Sequence, residues 1–127
     1  MKNNQRPTDS ELDILSILWD RGPSTVRQVH EELSRTKPSQ YTTTLKLMQI
    51  MAAKRLLHRD ETDRSHVYRH AVERIEAQQQ MVAHLMDRAF GGSARALLIG
   101  ALGSKRTSKK ELAELKQLIE DHEKGKK

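Results

Sequence analysis

The residues best suited to chemistry crowd into the stretch SQYTTTLKLMQIMAAKRLL, residues 39–57. Thr42, Thr43 and Lys46 bring two hydroxyls and an amine within little more than one helical turn. A threonine can hydrogen-bond a nucleobase edge or touch a thymine methyl, and a lysine amine suits guanine O6 and N7. Gln40 and Tyr41, just upstream, would reach phosphates or the first base. Arg64, between two candidate strands, would reach a phosphate or the minor groove, and Arg27 and Lys37 are phosphate candidates. Each has a plainer reading. Threonines can simply open an amphipathic helix, Lys46 can be a solvated charge, and Arg64 beside Asp60, Glu61 and Asp63 can be a surface ion pair.

Other chemistries are poorly provided for. With no cysteine in 127 residues, disulfides, thiolate metal sites and cysteine nucleophiles are excluded. There is no glycine-rich phosphate loop, nucleophile elbow or HExxH motif, so neither an enzyme nor a bound cofactor is expected. His66, Tyr68 and His70 alternate along one segment, and two histidines so spaced can share a metal, but no third ligand accompanies them and no metal site is expected. One Trp, two Tyr and one Phe leave little for stacking on single-stranded bases. The net charge of +6 is unevenly spread: residues 1–34 carry four Lys/Arg against six Asp/Glu, and residues 35–69 carry eight against three. The positive excess therefore gathers around the threonine run, where a polyanion would be met.

Positioning these groups requires helices. Thr8-Asp9-Ser10-Glu11 is a capping box opening a helix with Leu12, Ile14, Leu15, Leu18 and Trp19 at helical spacing. Gly22-Pro23 ends it, and Ser24 is expected to cap a second helix carrying Val26, Val29 and Leu33. Arg35-Thr36-Lys37-Pro38 is a loop, with Ser39 the expected cap of the next helix. In that third helix Thr44, Leu47, Met48 and Met51 form a buried stripe at i, i+3, i+4, i+7, leaving Thr42, Lys46, Gln49 and Ala53 opposite, flanked by Thr43, Leu45 and Ile50. Leu56–Arg59 and Ser65–His70 then predict two strands joined by a polar turn. Three helices and a hairpin make the order of a winged helix over residues 1–71.

From 72 onward the pattern changes. Val72, Ile75, Gln79, Val82, Met86 and Ala89 follow heptad spacing, with Gln79 as a polar group that fixes register. Gly91-Gly92 ends that helix, Ser93 to Leu102 is a short apolar helix, and Ser108-Lys109-Lys110-Glu111 is a second capping box before a helix with Leu112, Leu115, Leu118 and Ile119. These helices offer too little apolar surface for an independent core. The expectation is a homodimer through residues 72–127, with Leu97, Leu112 and Leu115 joining the heptad positions at the interface and a frayed tail at the end. The fold class is thus mainly α with a small β-hairpin wing, an N-terminal winged helix plus a C-terminal helical dimerisation unit. No window approaches the ~20 apolar residues of a membrane span, so no membrane insertion is expected and the default location is the cytoplasm.

In order and wording, ELDILSILWDRGPSTVRQVHEEL, YTTTLKLMQ, HVYRHAV, FGGSARALL and SKKELAELKQLIE resemble the penicillinase-repressor family, the BlaI/MecI type of bacterial transcriptional repressors, across roughly residues 7–122. The resemblance implies a sequence-specific homodimeric repressor on a palindromic double-stranded DNA operator. In the best-known members a membrane sensor metalloprotease relieves repression by causing cleavage in the helix after the Gly-Gly. The corresponding place here is Ile99, Gly100 and Ala101, where the Asn-Phe pair cut in those members is absent. Copper-responsive relatives carry C-terminal cysteine motifs, also absent. Ile50 stands where an arginine is common, and Arg55 where the family usually ends its third helix with glycine, so Arg55 must turn left-handed or the helix must end differently. The competing reading is a duplex-DNA-binding or protein-adaptor winged-helix module without a regulatory role.

Overall fold

The computed structural model describes residues 6–62, 64–104 and 106–125; Asp63 of the polar turn lies outside them. Six helices and three short strands are present among the described residues. They fall into two compact units, Met1–Val82 and Ala83–Lys127.

The first unit opens with α1 (Asp9–Arg21), whose capping box forms as expected: Thr8 Oγ1 accepts from the Glu11 amide and Glu11 accepts from the Thr8 amide. Helix α2 (Val26–Ser34) has a different cap from the expected one. The Ser24 hydroxyl is turned back on the preceding helix, accepting from Arg21 and donating to the Gly22 carbonyl. Thr25 therefore takes the cap, in a reciprocal box with Gln28. Helix α3 (Tyr41–Ala53) begins after Gln40 rather than Ser39, and Gln40 supplies no side-chain acceptor to the first turn.

The hairpin strands are β2 (Leu57–Asp60) and β3 (Val67–His70), one or two residues shorter at their starts than expected. A third strand went unforeseen. Ser24–Thr25 form β1, which pairs antiparallel with β3 to give the order β1-β3-β2. Two residues are too few for a period-two pattern to show in the sequence.

The core lies between the three helices and this sheet. Ile14, Leu15 and Leu18 of α1, Val26 and Val29 of α2, Met48 and Met51 of α3, and Leu56, Leu57 and Tyr68 of the hairpin form one buried cluster. The expected stripe on α3 is confirmed at Thr44, Met48 and Met51, with Leu47 half-buried. Val72 corrects the heptad expectation. It precedes α4 (Arg74–Ala89) and packs against this core, while its carbonyl accepts the Trp19 indole N–H at 3.0 Å. Arg74 stacks over the same indole and pairs with Asp20. The first unit consequently runs past residue 71 into the early turns of α4, where Ala77 is buried.

The second unit contains the end of α4, then α5 (Ala94–Ser104) and α6 (Lys109–Glu123). Gly91 and Gly92 are both left-handed, as a sharp stop to α4 requires. Ser108 Oγ accepts from the Glu111 amide, so half of the expected second box is formed. Among the described residues of this unit no side chain is buried. No helix among the described residues is long and apolar enough to cross a membrane.

Helix α3 ends in a complete Schellman closure. The Leu56 amide reaches the Met51 carbonyl at 2.9 Å and the Arg55 amide reaches the Ala52 carbonyl at 3.1 Å, which places Arg55 at the left-handed position with φ 68°. A side chain there costs roughly 1–2 kcal/mol. Arg55→Gly removes that cost and adds unfolded-state entropy, for a net gain of about 0.5–1 kcal/mol. Urea unfolding of the two proteins should show the midpoint rise with the slope unchanged.

Candidate nucleic-acid interface

The exposed side of α3 follows directly from what its other side must bury. Once Thr44, Met48 and Met51 face the core, helical geometry turns Thr42, Thr43, Lys46, Gln49 and Ile50 outward, and all five are exposed. The sequence expectation for this face therefore holds as a matter of placement. Ile50 stands further out than its expected flanking position suggested, at 43% exposure. Together with Thr8 and Ser10 from the start of α1, the residues Thr42, Thr43, Lys46, Leu47 and Ile50 line an open groove of about 520 Å³.

The N-terminal end of α3 is held by α2. The His30 ring meets the Tyr41 ring edge-on, with centroids 5.7 Å apart, and the Arg27 guanidinium lies 5.7 Å from the Tyr41 centroid. His30 Nδ1 and the buried Thr44 hydroxyl are 3.2 Å apart, and Ser34 Oγ approaches the other ring nitrogen at 3.5 Å. His30 thus joins α2 to α3 at two points, a role sequence reading missed. Its only signal was its place one residue after Val29 on the helix that precedes α3. Tyr41 remains 40% exposed despite these contacts. The N-cap, Gln40, leaves the first-turn amides of α3 without a side-chain acceptor, unlike those of α1, α2 and α6. Such amides, at the positive end of a helix, suit a phosphate.

At the wing, Asp60 accepts from both the amide and the hydroxyl of Thr62, at 3.0 and 2.9 Å. These bonds hold its carboxyl below the usual carboxylate range, the amide contributing most. Arg59 bonds to Tyr68 and Glu61, which raises its guanidinium above its already high ordinary value. Arg64 is exposed in the following turn and forms no ion pair among the described residues. Of the wing's described cations near the tip, Arg59 is committed to Tyr68 of the neighbouring strand and to Glu61 of the turn, whereas Arg64 is turned to solvent. Arg27 and Lys37 are also exposed. Tyr68 is buried, and His70 Nδ1 lies 3.1 Å from the Val72 carbonyl; among the described residues no group of three His, Cys, Asp or Glu could hold a metal.

Most of the residues expected at a second interface are open as well. Ile75 is 61% and Val82 44% exposed, and Gln79, Ala89 and Leu112 are exposed too, whereas Met86, Leu97 and Leu115 are half-buried. Ile99, Gly100 and Ala101 lie inside α5, with Gly100 close to Phe90: a Cβ there would meet the ring at 3.3 Å.

The chain's likeness to known proteins extends over the same parts. The family model described as penicillinase repressor matches residues 7–121. The transcriptional regulator BlaI of Mycobacterium tuberculosis is 36% identical over 97 residues, covering 72% of this chain and 67% of that protein. The penicillinase repressor of Bacillus licheniformis is 23% identical over 127 residues, covering 100% of this chain and 99% of the relative.

The placement of the three consecutive threonines separates stability from contact. Thr44→Val should cost about 1–2 kcal/mol by stranding His30 beside a methyl group, seen as a lower urea midpoint. Thr42→Ala and Thr43→Ala should leave the unfolding free energy within about 0.5 kcal/mol of the parent and instead weaken duplex DNA binding, measured by fluorescence anisotropy.

Proposed function

The chain belongs to the penicillinase repressor family, and on that premise we propose that it represses transcription as a homodimer seated on a pseudo-palindromic operator. The major groove carries the base-pair code that a sequence-specific repressor can read most fully. The single observation that carries the proposal is the outward face of α3: Thr42, Thr43 and Lys46 stand exposed on a helix whose other side is locked into the core.

In this reading α3 enters the major groove. Lys46 and the two threonines meet base edges, while Gln40, Tyr41 and the amides of Tyr41 and Thr42, which no side chain caps, meet the phosphate at the groove's lip. Arg64 at the wing contacts the neighbouring backbone. Arg27, stacked on Tyr41, adds positive charge on the same side. Two such heads, about one helical turn of DNA or a multiple of it apart, read the two half-sites and occlude polymerase.

The dimer rests on the uncovered apolar groups of the C-terminal helices. Ile75, Val82, Leu98, Ile99, Leu102, Leu112, Leu118 and Ile119 are all exposed in the single chain. Each is already partly covered, so burying the remainder would gain roughly 0.5–2 kcal/mol, and a second copy supplies matching surface by symmetry. Relief of repression by a membrane sensor metalloprotease would act at Ile99, Gly100 and Ala101. Because these residues are helical, cleavage there requires α5 to open locally first.

The test is an affinity comparison at fixed salt between a palindrome in the chain's own promoter and random duplex. The promoter site should bind roughly a thousandfold tighter or more; equal affinities would leave only a sequence-tolerant module. Lys46→Ala should weaken the operator by roughly ten- to a hundredfold while affecting random DNA far less. An equal loss on both would make Lys46 a phosphate anchor. In α4, Val82→Asp at an exposed position should convert dimer to monomer by light scattering and abolish tight operator binding, while the winged-helix core keeps its cooperative unfolding. A dimer that survives this change would place the interface elsewhere.

A further inference from the structure

We infer that Ile50 is a specificity-determining residue that packs against the methyl group of one thymine in each half-site. The inference rests on the reading above, in which α3 lies in the major groove, and extends it to the operator's sequence.

Ile50 is a large aliphatic side chain with no evident structural employment. The core side of α3 is filled by Thr44, Met48 and Met51, each almost wholly buried, whereas Ile50 is 43% exposed. It sits on the same outward arc as Thr43 and Lys46, at i, i+3 and i+7, so the three side chains share one face of the helix. It also lines the groove shared by Lys46, Thr42, Thr43, Thr8 and Ser10. Leu47 also lines that groove but is half-buried against the core, so among the groove's lining residues Ile50 is the exposed large aliphatic group and presents a defined apolar point to whatever the helix meets.

In the major groove the choice of apolar partner is narrow. Guanine and adenine present nitrogen and oxygen groups there and cytosine presents its amine, whereas thymine offers a C5-methyl. An isoleucine cannot hydrogen-bond, so it gains by covering that methyl and loses by desolvating a polar edge without replacing its partner. Isoleucine is also stiff: in a helix its χ1 is confined largely to one rotamer, which fixes the position it can read. Lys46 lies one turn earlier, about 6 Å along the axis, and suits guanine. The operator half-site should therefore hold a guanine and a thymine within about two or three base pairs of each other.

Replacing thymine by uracil removes the methyl and nothing else from the base edge, so it isolates this contact. The experiment uses the full chain on its footprinted operator, with each thymine replaced in turn. The wild-type protein must first prefer that operator over random duplex; failure at this step sinks the repressor reading, not the Ile50 assignment. At one symmetry-related position per half-site, uracil should weaken wild-type binding roughly three- to tenfold. Ile50→Ala should bind the thymine operator more weakly by a similar factor and no longer distinguish thymine from uracil at that position. Ile50→Val, which keeps an apolar branched group, should retain part of the discrimination, and Lys46→Ala should retain all of it. Urea unfolding checks that both Ile50 variants remain folded, as their exposed site leads one to expect. The assignment is overturned if no thymine methyl matters, or if the methyl effect persists undiminished in Ile50→Ala, which would transfer it to Thr42 or Thr43.

Discussion

The arrangement of the head depends on one carboxylate. Glu11 is 2% exposed, and its oxygens accept from the Thr8 amide at 2.9 Å and from Lys54 Nζ at 3.0 and 2.8 Å. It therefore closes the first turn of α1 and binds the residue that caps α3. Both charges sit where helix ends favour them, the acid at an N-terminus and the amine at a C-terminus. An unpaired carboxylate so deeply buried would be strongly destabilising, which means the pair acts as a geometric constraint: α3 can slide along α1 only by breaking it. The outward face of α3 is thus fixed at one end by Lys54 and at the other by His30 with Thr44 and Tyr41.

Immediately beyond Lys54 the chain must turn from helix into wing. Arg55 takes the left-handed conformation, and Leu56 drops into the core beside Met51 before β2 begins. The strain at Arg55 is held in place by its neighbours, since the two closing hydrogen bonds and the burial of Leu56 all require that turn. Pairing of β2 and β1 with β3 then orients the loop bearing Arg64. The wing and the outward face of α3 are consequently set by consecutive links of the same short stretch of chain.

How much of this was legible in the sequence varies with the range of the interaction. The stripe of Thr44, Met48 and Met51 was readable because a buried helix face imposes a period, and the Thr8–Glu11 box was readable because both partners lie within one turn. The Glu11–Lys54 pair was not, since 43 residues separate its members and a capping glutamate looks the same whether exposed or buried. At the second helix Ser24 and Thr25 are both good caps, and only the competing bond from Ser24 to Gly22 decides between them. Val72 fits a heptad in register, but spacing says where a residue would fall if a helix included it. Here the helix starts two residues later, and Val72 serves Trp19 and the core instead. On α3, periodicity located the exposed positions, while the degree to which Ile50 protrudes, 43% exposed, depends on tertiary packing that no local pattern encodes.

The junction at Trp19 has a consequence of a different kind. The chain contains a single tryptophan, and its indole is bonded to the Val72 carbonyl and covered by Arg74, just where the head passes into α4. Indole emission is sensitive to solvent and to nearby charge, so this one side chain is a native optical reporter of whether the start of α4 is latched to α1. Melting of the latch would change its spectrum without any label attached to the protein, which makes the coupling between the head and its following helix observable in the unmodified molecule.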